Sequence, residues 1–295
     1  VKRPSFRAMM LVALMGLFSL GYAVFLGTLG SEANLAIESY GPSKKADGVR
    51  PQLQVYAEIV SIDAVNGSMR MRFSFTPAKA LQGRRLKTPI RDMTVRIADD
   101  SADYEYPLAA DQPVASQLID VDLNNGSVFD YPLDAFTARL SVDAFEDPPA
   151  GQEGVAPNHL AVEVALWDGF AGWTIRTAER AADGTSAVTI AIDLRRSGAV
   201  RFFVLSLYAV MAIIAIAALT MASLVFLHVR KMEISIASTL AAMLFALPVM
   251  RYGLQGSPPL GVRADVLIYL WAEIGVALGL CLVVATWARG EPKPL

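Results

Sequence analysis

The stretch Phe202–Leu227, FFVLSLYAVMAIIAIAALTMASLVFL, carries no charged side chain over 26 positions. A helix rises about 1.5 Å per residue, so about 20 apolar residues cross a hydrocarbon layer of roughly 30 Å. The stretch therefore reads as a transmembrane helix. Toward the C-terminus, Ile234–Met250 is a shorter apolar run of 17 residues, at the lower limit for a span, and Val266–Trp287 is another, with one internal acid, Glu273. Near the N-terminus, Ala8–Leu29 is uncharged over 22 positions and follows Lys2, Arg3 and Arg7. A cleaved signal peptide competes for this last segment. Signal cores run roughly 7–15 residues and end at a small-x-small site. The run is longer than that, and Gly27-Thr28-Leu29-Gly30-Ser31 is a poor cleavage site. A retained anchor is expected, giving four spans.

Charge is divided along the chain. The composition is 54% hydrophobic and 18% charged, with a mean hydropathy of +0.41, whereas soluble domains carry about 25% charged residues. Residues 31–200 hold 24 acidic and 16 basic side chains, and the remainder holds 4 and 10. An acidic soluble module is thus joined to a basic, apolar one. Cations also set orientation, because Lys and Arg are retained in the cytosol. Lys2, Arg3 and Arg7, then Arg230 and Lys231, then Arg289 and Lys293 all fall inside if the N-terminus is cytoplasmic. Arg251 and Arg263 then fall in a short outer loop, with Arg201 at an outer helix end. Residues 31–200 are expected outside the cytoplasmic membrane, with both termini within.

The outer module reads as strands. Gln52–Ile62 and Ser68–Thr76 flank Asp63-Ala64-Val65-Asn66-Gly67, whose Asn-Gly is a strong hairpin signal. Arg70, Arg72 and Ser74 alternate with Met71, Phe73 and Phe75, which separates a wet face from an apolar one. Further strands are expected at Met93–Ala98, Gln117–Leu123, Phe136–Ala144, Leu160–Trp167, Trp173–Ala178 and Ala187–Leu194. The expected fold is membrane α+β, an extracytoplasmic antiparallel β-sandwich plus four transmembrane helices, one N-terminal and three C-terminal. Its parts are an anchor at 1–30, a linker at 31–51, the β-domain at 52–200, three helices at 201–288 and a cytoplasmic tail at 289–295. Pro148–Pro157 reads as a loop.

No catalytic signature is present: the chain has no GxSxG, HExxH, Walker loop or CxxC. His159 and His228 fall on opposite sides of the membrane under this topology. Asp99, Asp100, Asp103 and Glu105 lack the spacing of a calcium loop and read as a solvated turn. Asp120 and Asp122 mark the wet face of a strand. Cys281, the lone cysteine, reads as a small packing residue within a span. A non-enzymatic protein with no cofactor, no metal and no nucleic-acid partner is expected.

Glu273 is the most informative polar residue. It lies eight residues past Asp265, about 12 Å down a helix, where a carboxylate is costly. Arg251 or Arg263 is the expected partner; a structural ion pair or a protonated acid facing the bundle is the plainer explanation. In the third span Ser235, Ser238, Thr239 and Ala242 share one face, with Glu233 at its inner end. Such a face favours close helix packing, or lines a watery path if several copies assemble.

The phrases Asn66-Gly67-Ser68-Met69-Arg70-Met71-Arg72-Phe73, Asp130-Tyr131-Pro132-Leu133-Asp134 and Met243-Leu244-Phe245-Ala246-Leu247-Pro248 carry a resemblance. Together with the order anchor, β-domain, three helices, they resemble a bacterial membrane family called domain of unknown function 4436. That resemblance covers most of the chain and implies a bacterial cell-envelope protein with no assigned activity and no site residues. In addition, Tyr131-Pro132-Leu133-Asp134 is similar to the Pro-Phe-Asp turn of pentameric ligand-gated ion channels. The element order of 195–288 resembles theirs, and Glu233, Ser238 and Thr239 resemble pore-facing chemistry. The fourth helix of those channels is missing, an N-terminal helix is added, and no aromatic ligand box is assignable. Two roles follow. In one, the β-domain binds a protein or envelope partner; in the other, the chain is a subunit of a channel-like homo-oligomer. An envelope enzyme would have only the Asp99–Glu105 cluster and Glu273 behind it.

Overall fold

The computed structural model describes residues 6–32, 37–41, 50–83, 87–147, 157–167, 169–180, 187–256 and 258–289. Lys2, Arg3 and Lys293, most of the 148–157 loop and the tail beyond residue 289 lie outside them. The chain divides into two compact units. One is Val1–Ser127 with Ala135–Gly198, and the other is Val128–Asp134 with Ala199–Leu295.

The first unit begins with one unbroken helix, α1 (Phe6–Glu32). Large apolar side chains along it, among them Leu17, Phe18 and Leu20, are exposed. Its described apolar stretch, Met15–Gly27, is shorter than a span.

Eleven strands follow among the described residues. They are β1 (Ile37–Tyr40), β2 (Leu53–Asp63), β3 (Ser68–Pro77), β4 (Met93–Ala98), β5 (Asp103–Leu108), β6 (Gln117–Asp122), β7 (Ala135–Glu146), β8 (Asn158–His159), β9 (Val162–Trp167), β10 (Trp173–Arg180) and β11 (Val188–Arg196). One sheet has the order β1-β9-β2-β3-β6. The second runs β10-β11-β7-β4-β5, with β8 added beside β7.

Alternation explains these strands. Met69, Met71, Phe73 and Phe75 of β3 are buried, while Arg70 and Arg72 point outward. Arg70 makes two hydrogen bonds to Asp120 across the β3–β6 pair, and Arg72 reaches Glu58 across β2–β3. A period of two therefore sorts one strand into a buried apolar face and a solvated ionic one. Leu140, Val142 and Ala144 of β7 and Ile190, Ile192 and Leu194 of β11 do the same in the second sheet. Phe75 and Tyr106 bring rings of the two sheets to 6.4 Å. In the β2–β3 hairpin Asp63 accepts hydrogen bonds from the Asn66 backbone, the Asn66 side-chain amide and the Val65 backbone, which holds its carboxyl below the usual range. Gly67 takes the positive φ of 66° that closes the turn.

Three expectations need correction here. The sheet is not wholly antiparallel, because β2 and β9 pair in parallel, Leu53 beside Val162 through Glu58 beside Trp167. The 31–51 segment is not only a linker, since Ile37–Tyr40 pairs with β9 and buries Tyr40. Four residues are too few to show a period. The acidic turn is likewise half strand: Asp103 and Glu105 lie on β5, paired with β4.

The second unit holds three helices. They are α2 (Gly198–Phe226), α3 (Ile234–Tyr252) and α4 (Leu270–Arg289), the last entered through a π-helical turn at Asp265–Tyr269. The segments Gly198–Phe226, Ile234–Tyr252 and Asp265–Arg289 are long and apolar enough to cross a membrane. Their packing uses small residues. Gly275 and Gly279, spaced as G-x-x-x-G, lie against Ala215, Ala218 and Ala222 of α2, so the backbones approach closely. Cys281 faces outward rather than packing between helices.

A Cβ built on Gly279 would meet the Ala218 carbonyl oxygen and the Ala222 Cβ at 3.4 Å, ordinary contact. Gly279→Ala should therefore be nearly neutral. Gly279→Leu should force α2 and α4 apart and cost about 1–3 kcal/mol. Thermal unfolding of the two variants in mild detergent checks the difference.

Candidate functional site

The buried polar centre of the second unit is built from three helices. Arg251, in the last turn of α3, is 3% exposed, and Asp265, first residue of the π-helical turn, is 4% exposed. The guanidinium Nη2 lies 2.7 Å from Asp265 Oδ2 and also donates to the carbonyls of Pro258 and Pro259 at 3.0 and 2.9 Å. Tyr208 of α2, fully buried, donates to Asp265 Oδ1 at 2.6 Å, and the Gly261 N–H donates to Oδ2 at 3.2 Å. Among the described residues Arg251 Nε has no hydrogen-bond partner.

Local sequence explains the placement. Arg251 follows Pro248 at the C-terminal end of α3, where free carbonyls favour a cation. Pro258 and Pro259 lie outside helix and strand in the α3–α4 connection, so their carbonyls are available to the guanidinium. The π-helical turn admits one extra residue at the start of the last span. The arrangement is a clamp that ties α2, α3, α4 and the α3–α4 connection together. No acid–base pair in it reaches an open cleft among the described residues.

Seated on the same connection is the loop Val128–Asp134, which leaves β6 and returns to β7 but clusters with the helices. Tyr131 is 1% exposed and packs in one apolar cluster with Val200, Val204, Leu254 and Val262. Its hydroxyl donates to the Gln255 carbonyl at 2.7 Å. Asp130 pairs with Arg263 at 2.9 Å, at an exposed position where an ion pair adds little stability.

The residues singled out from sequence are thus distributed over several places. Arg251 is central, but on α3 rather than in a loop. Its partner is Asp265, and Arg263 is engaged by Asp130, so neither arginine is paired with Glu273. Glu273 is half-buried on α4, one turn beyond Tyr269. Glu233 is exposed at the N-terminal boundary of α3. Ser238 and Thr239 are exposed on the same face of α3, and both hydroxyls donate to the Ser235 carbonyl, at 3.0 and 2.8 Å.

Sequence reasoning passed over Tyr208 and used Asp265 only to measure the depth of Glu273. The signal that could have found Asp265 is a base and an acid fourteen residues apart, each at the edge of an apolar run.

The β-domain has a small concavity of 180 Å³ on β7 and β11, edged by Asp100, Arg139 and Asp193. Asp100 pairs with Arg139 there. Asp99 instead caps its own turn through the N–H groups of Ser101 and Ala102.

A family model described as Domain of unknown function (DUF4436) matches residues 43–194, slightly more than half of the chain. The chain belongs to this family. The match ends two residues before the end of β11. A second model, Domain of unknown function (DUF8686), takes over at 196–290 and spans α2–α4. The DUF4436 match thus covers β2 to β10 and most of β11 but not β1, and the clamp falls in the second match. No curated protein matches the chain.

Removing one member of a buried ion pair strands the other charge. Asp265→Asn and Arg251→Met should each cost about 3–5 kcal/mol. Tyr208→Phe, which removes one hydrogen bond, should cost about 1–2 kcal/mol. The double variant Arg251→Met/Asp265→Leu should be more stable than either single change at the pair. Denaturant unfolding in detergent gives the ranking.

Proposed function

We propose that this chain is a multi-pass inner-membrane protein, without enzymatic activity, whose β-domain lies outside the cytoplasm and binds a protein or envelope partner. In this reading α1 is a fourth span, both termini are cytoplasmic, and the two sheets form a sandwich. The cation distribution around the apolar helices supports the orientation. The exposed apolar surface of α1 supports its insertion in lipid. The described 180 Å³ concavity on β7 and β11 is below the roughly 300 Å³ at which small-molecule sites begin, so this reading assigns it no small ligand.

One observation carries the role. The loop Val128–Asp134 belongs to the sheet by chain order and to the helices by packing. A partner held on β6 or β7 would therefore pull on the connection beside the Arg251–Asp265 clamp. This makes the protein a receiver that passes a binding event from the β-domain to its spans. A phosphatase fused near Gly151 should be active in cells, and one fused after Arg289 inactive. Photo-crosslinkers at the exposed positions Tyr56 and Leu118 should give one discrete adduct, competed by excess isolated β-domain. A cytosolic signal at Gly151, or no adduct from either position, overturns the reading.

A second reading, a channel-like homo-oligomer, is favoured by the exposed Ser235, Ser238 and Thr239 face of α3 and by the seating of Tyr131-Pro132-Leu133-Asp134 on the α3–α4 connection. Native mass measurement in mild detergent separates the two. A ring of copies promotes the channel, and a strict monomer ends it.

A further inference from the structure

At the other end of the helices, away from the clamp, lies an apolar groove of 340 Å³ between the first turn of α3 and the last turns of α4. Met232, Ile234, Ala237, Val284 and Trp287 line it, and none of them is charged. Ile234 is 80% exposed and Trp287 65% exposed. The volume falls within the roughly 300–1,000 Å³ of ligand sites. Cations flank both walls: Arg230 and Lys231 immediately precede Met232, and Arg289 follows Trp287 by two residues. His228 is in the same turn, and Glu233 is the one acid beside the groove among the described residues. An apolar slot bounded by three permanent cations and one carboxylate fits a molecule with an acyl chain and an anionic head.

We infer that this groove is a binding site for an anionic glycerophospholipid, with one acyl chain in the slot and the headgroup phosphate against Arg230, Lys231 and Arg289. The inference rests on the reading of α2–α4 as membrane spans. Basic clusters at the ends of spans attract anionic headgroups. The indole of Trp287 suits the boundary between chain and headgroup. Lysine and arginine stems lie along apolar surface while their charges reach the phosphate.

The test uses the full chain in a neutral detergent, titrated with dioleoylphosphatidylglycerol or dioleoylphosphatidylcholine and read by native mass spectrometry. The phosphatidylglycerol complex should form about tenfold more tightly. The variant Arg230→Ala/Lys231→Ala/Arg289→Ala should bring the two lipids to equal affinity. Trp287→Ala should weaken both lipids and keep their ratio. These side chains are exposed, and circular dichroism confirms that the variants fold. Equal binding of the two lipids by the unaltered chain overturns the inference, as does an unchanged preference in the triple variant. So does an equal shift with glycerol phosphate alone, which would mean that the acyl slot is unused. Carbonate extraction of membranes tests separately whether the helices are embedded, so a failed lipid site is distinguishable from a failed membrane reading.

Discussion

A guanidinium and a carboxylate 2.7 Å apart, nearly without solvent, set the terms for everything around them in the helical unit. Taken out of water singly, either charge costs several kcal/mol. The pair is tolerable only if most of the remaining donors and acceptors are also met, and here the Arg251 Nε is the exception among the described residues. Hence the Tyr208 hydroxyl on one carboxylate oxygen, the Gly261 N–H on the other, and two proline carbonyls on the guanidinium. Tyr208 comes from α2, whereas Gly261, Pro258 and Pro259 all come from the α3–α4 connection. The α3–α4 connection therefore has few ways to fold. Elsewhere the bundle relies on shape alone, with glycines on alanines, which is adequate for approach but specifies no register by charge.

The ordered connection is what makes a seat for the Val128–Asp134 loop. Tyr131 needs an acceptor for its hydroxyl once its ring is buried, and the Gln255 carbonyl supplies it just past the end of α3. Leu254 and Val262, on either side of the prolines, complete the apolar wall. The clamp and the seat share one short stretch of chain. A change in either reaches the other through backbone that the proline carbonyls already fix. The chain passes between its two units at three places, on either side of this loop and at Gly198.

Periodicity and apolar length were legible in the sequence, and pairing across distance was not. The β3 strand and the three C-terminal helices followed from spacing, each to within four residues at either end. DUF4436 membership was legible from phrases that include the hairpin and the Asp130–Asp134 turn. β1 was missed because four residues flanked by polar chain show no alternation, and its pairing with β9 depends on a partner more than a hundred residues away. The parallel β2–β9 pair was hidden for the same reason. Glu273 drew attention because it interrupts an apolar run. Asp265 did not, because it stands at a run's edge, where an acid is unremarkable until Arg251 is known to face it. Small residues mislead in the opposite sense: Ser238 and Thr239 read as a packing face or a watery path but are exposed, whereas Gly275 and Gly279 lie against α2.

The hydroxyls of the exposed α3 face bear on what that face demands. A serine or threonine directed at lipid is costly when its hydrogen bond is unmade. Ser238 and Thr239 make theirs to the Ser235 carbonyl of their own helix, and Thr220 and Ser223 of α2 do likewise with Ile216 and Leu219. Such a face carries no unmet polar group and lies against acyl chains at little cost. It neither requires water nor requires a second copy. Glu233 stands at the helix boundary, at the end where Arg230 and Lys231 also lie and where headgroups and water are within reach under the proposed topology. The strong polar interactions are concentrated at the opposite end, in the clamp and beneath Tyr131. The demanding chemistry of the helices therefore lies beside the loop that joins β6 to β7, which supports the proposed receiver over a pore.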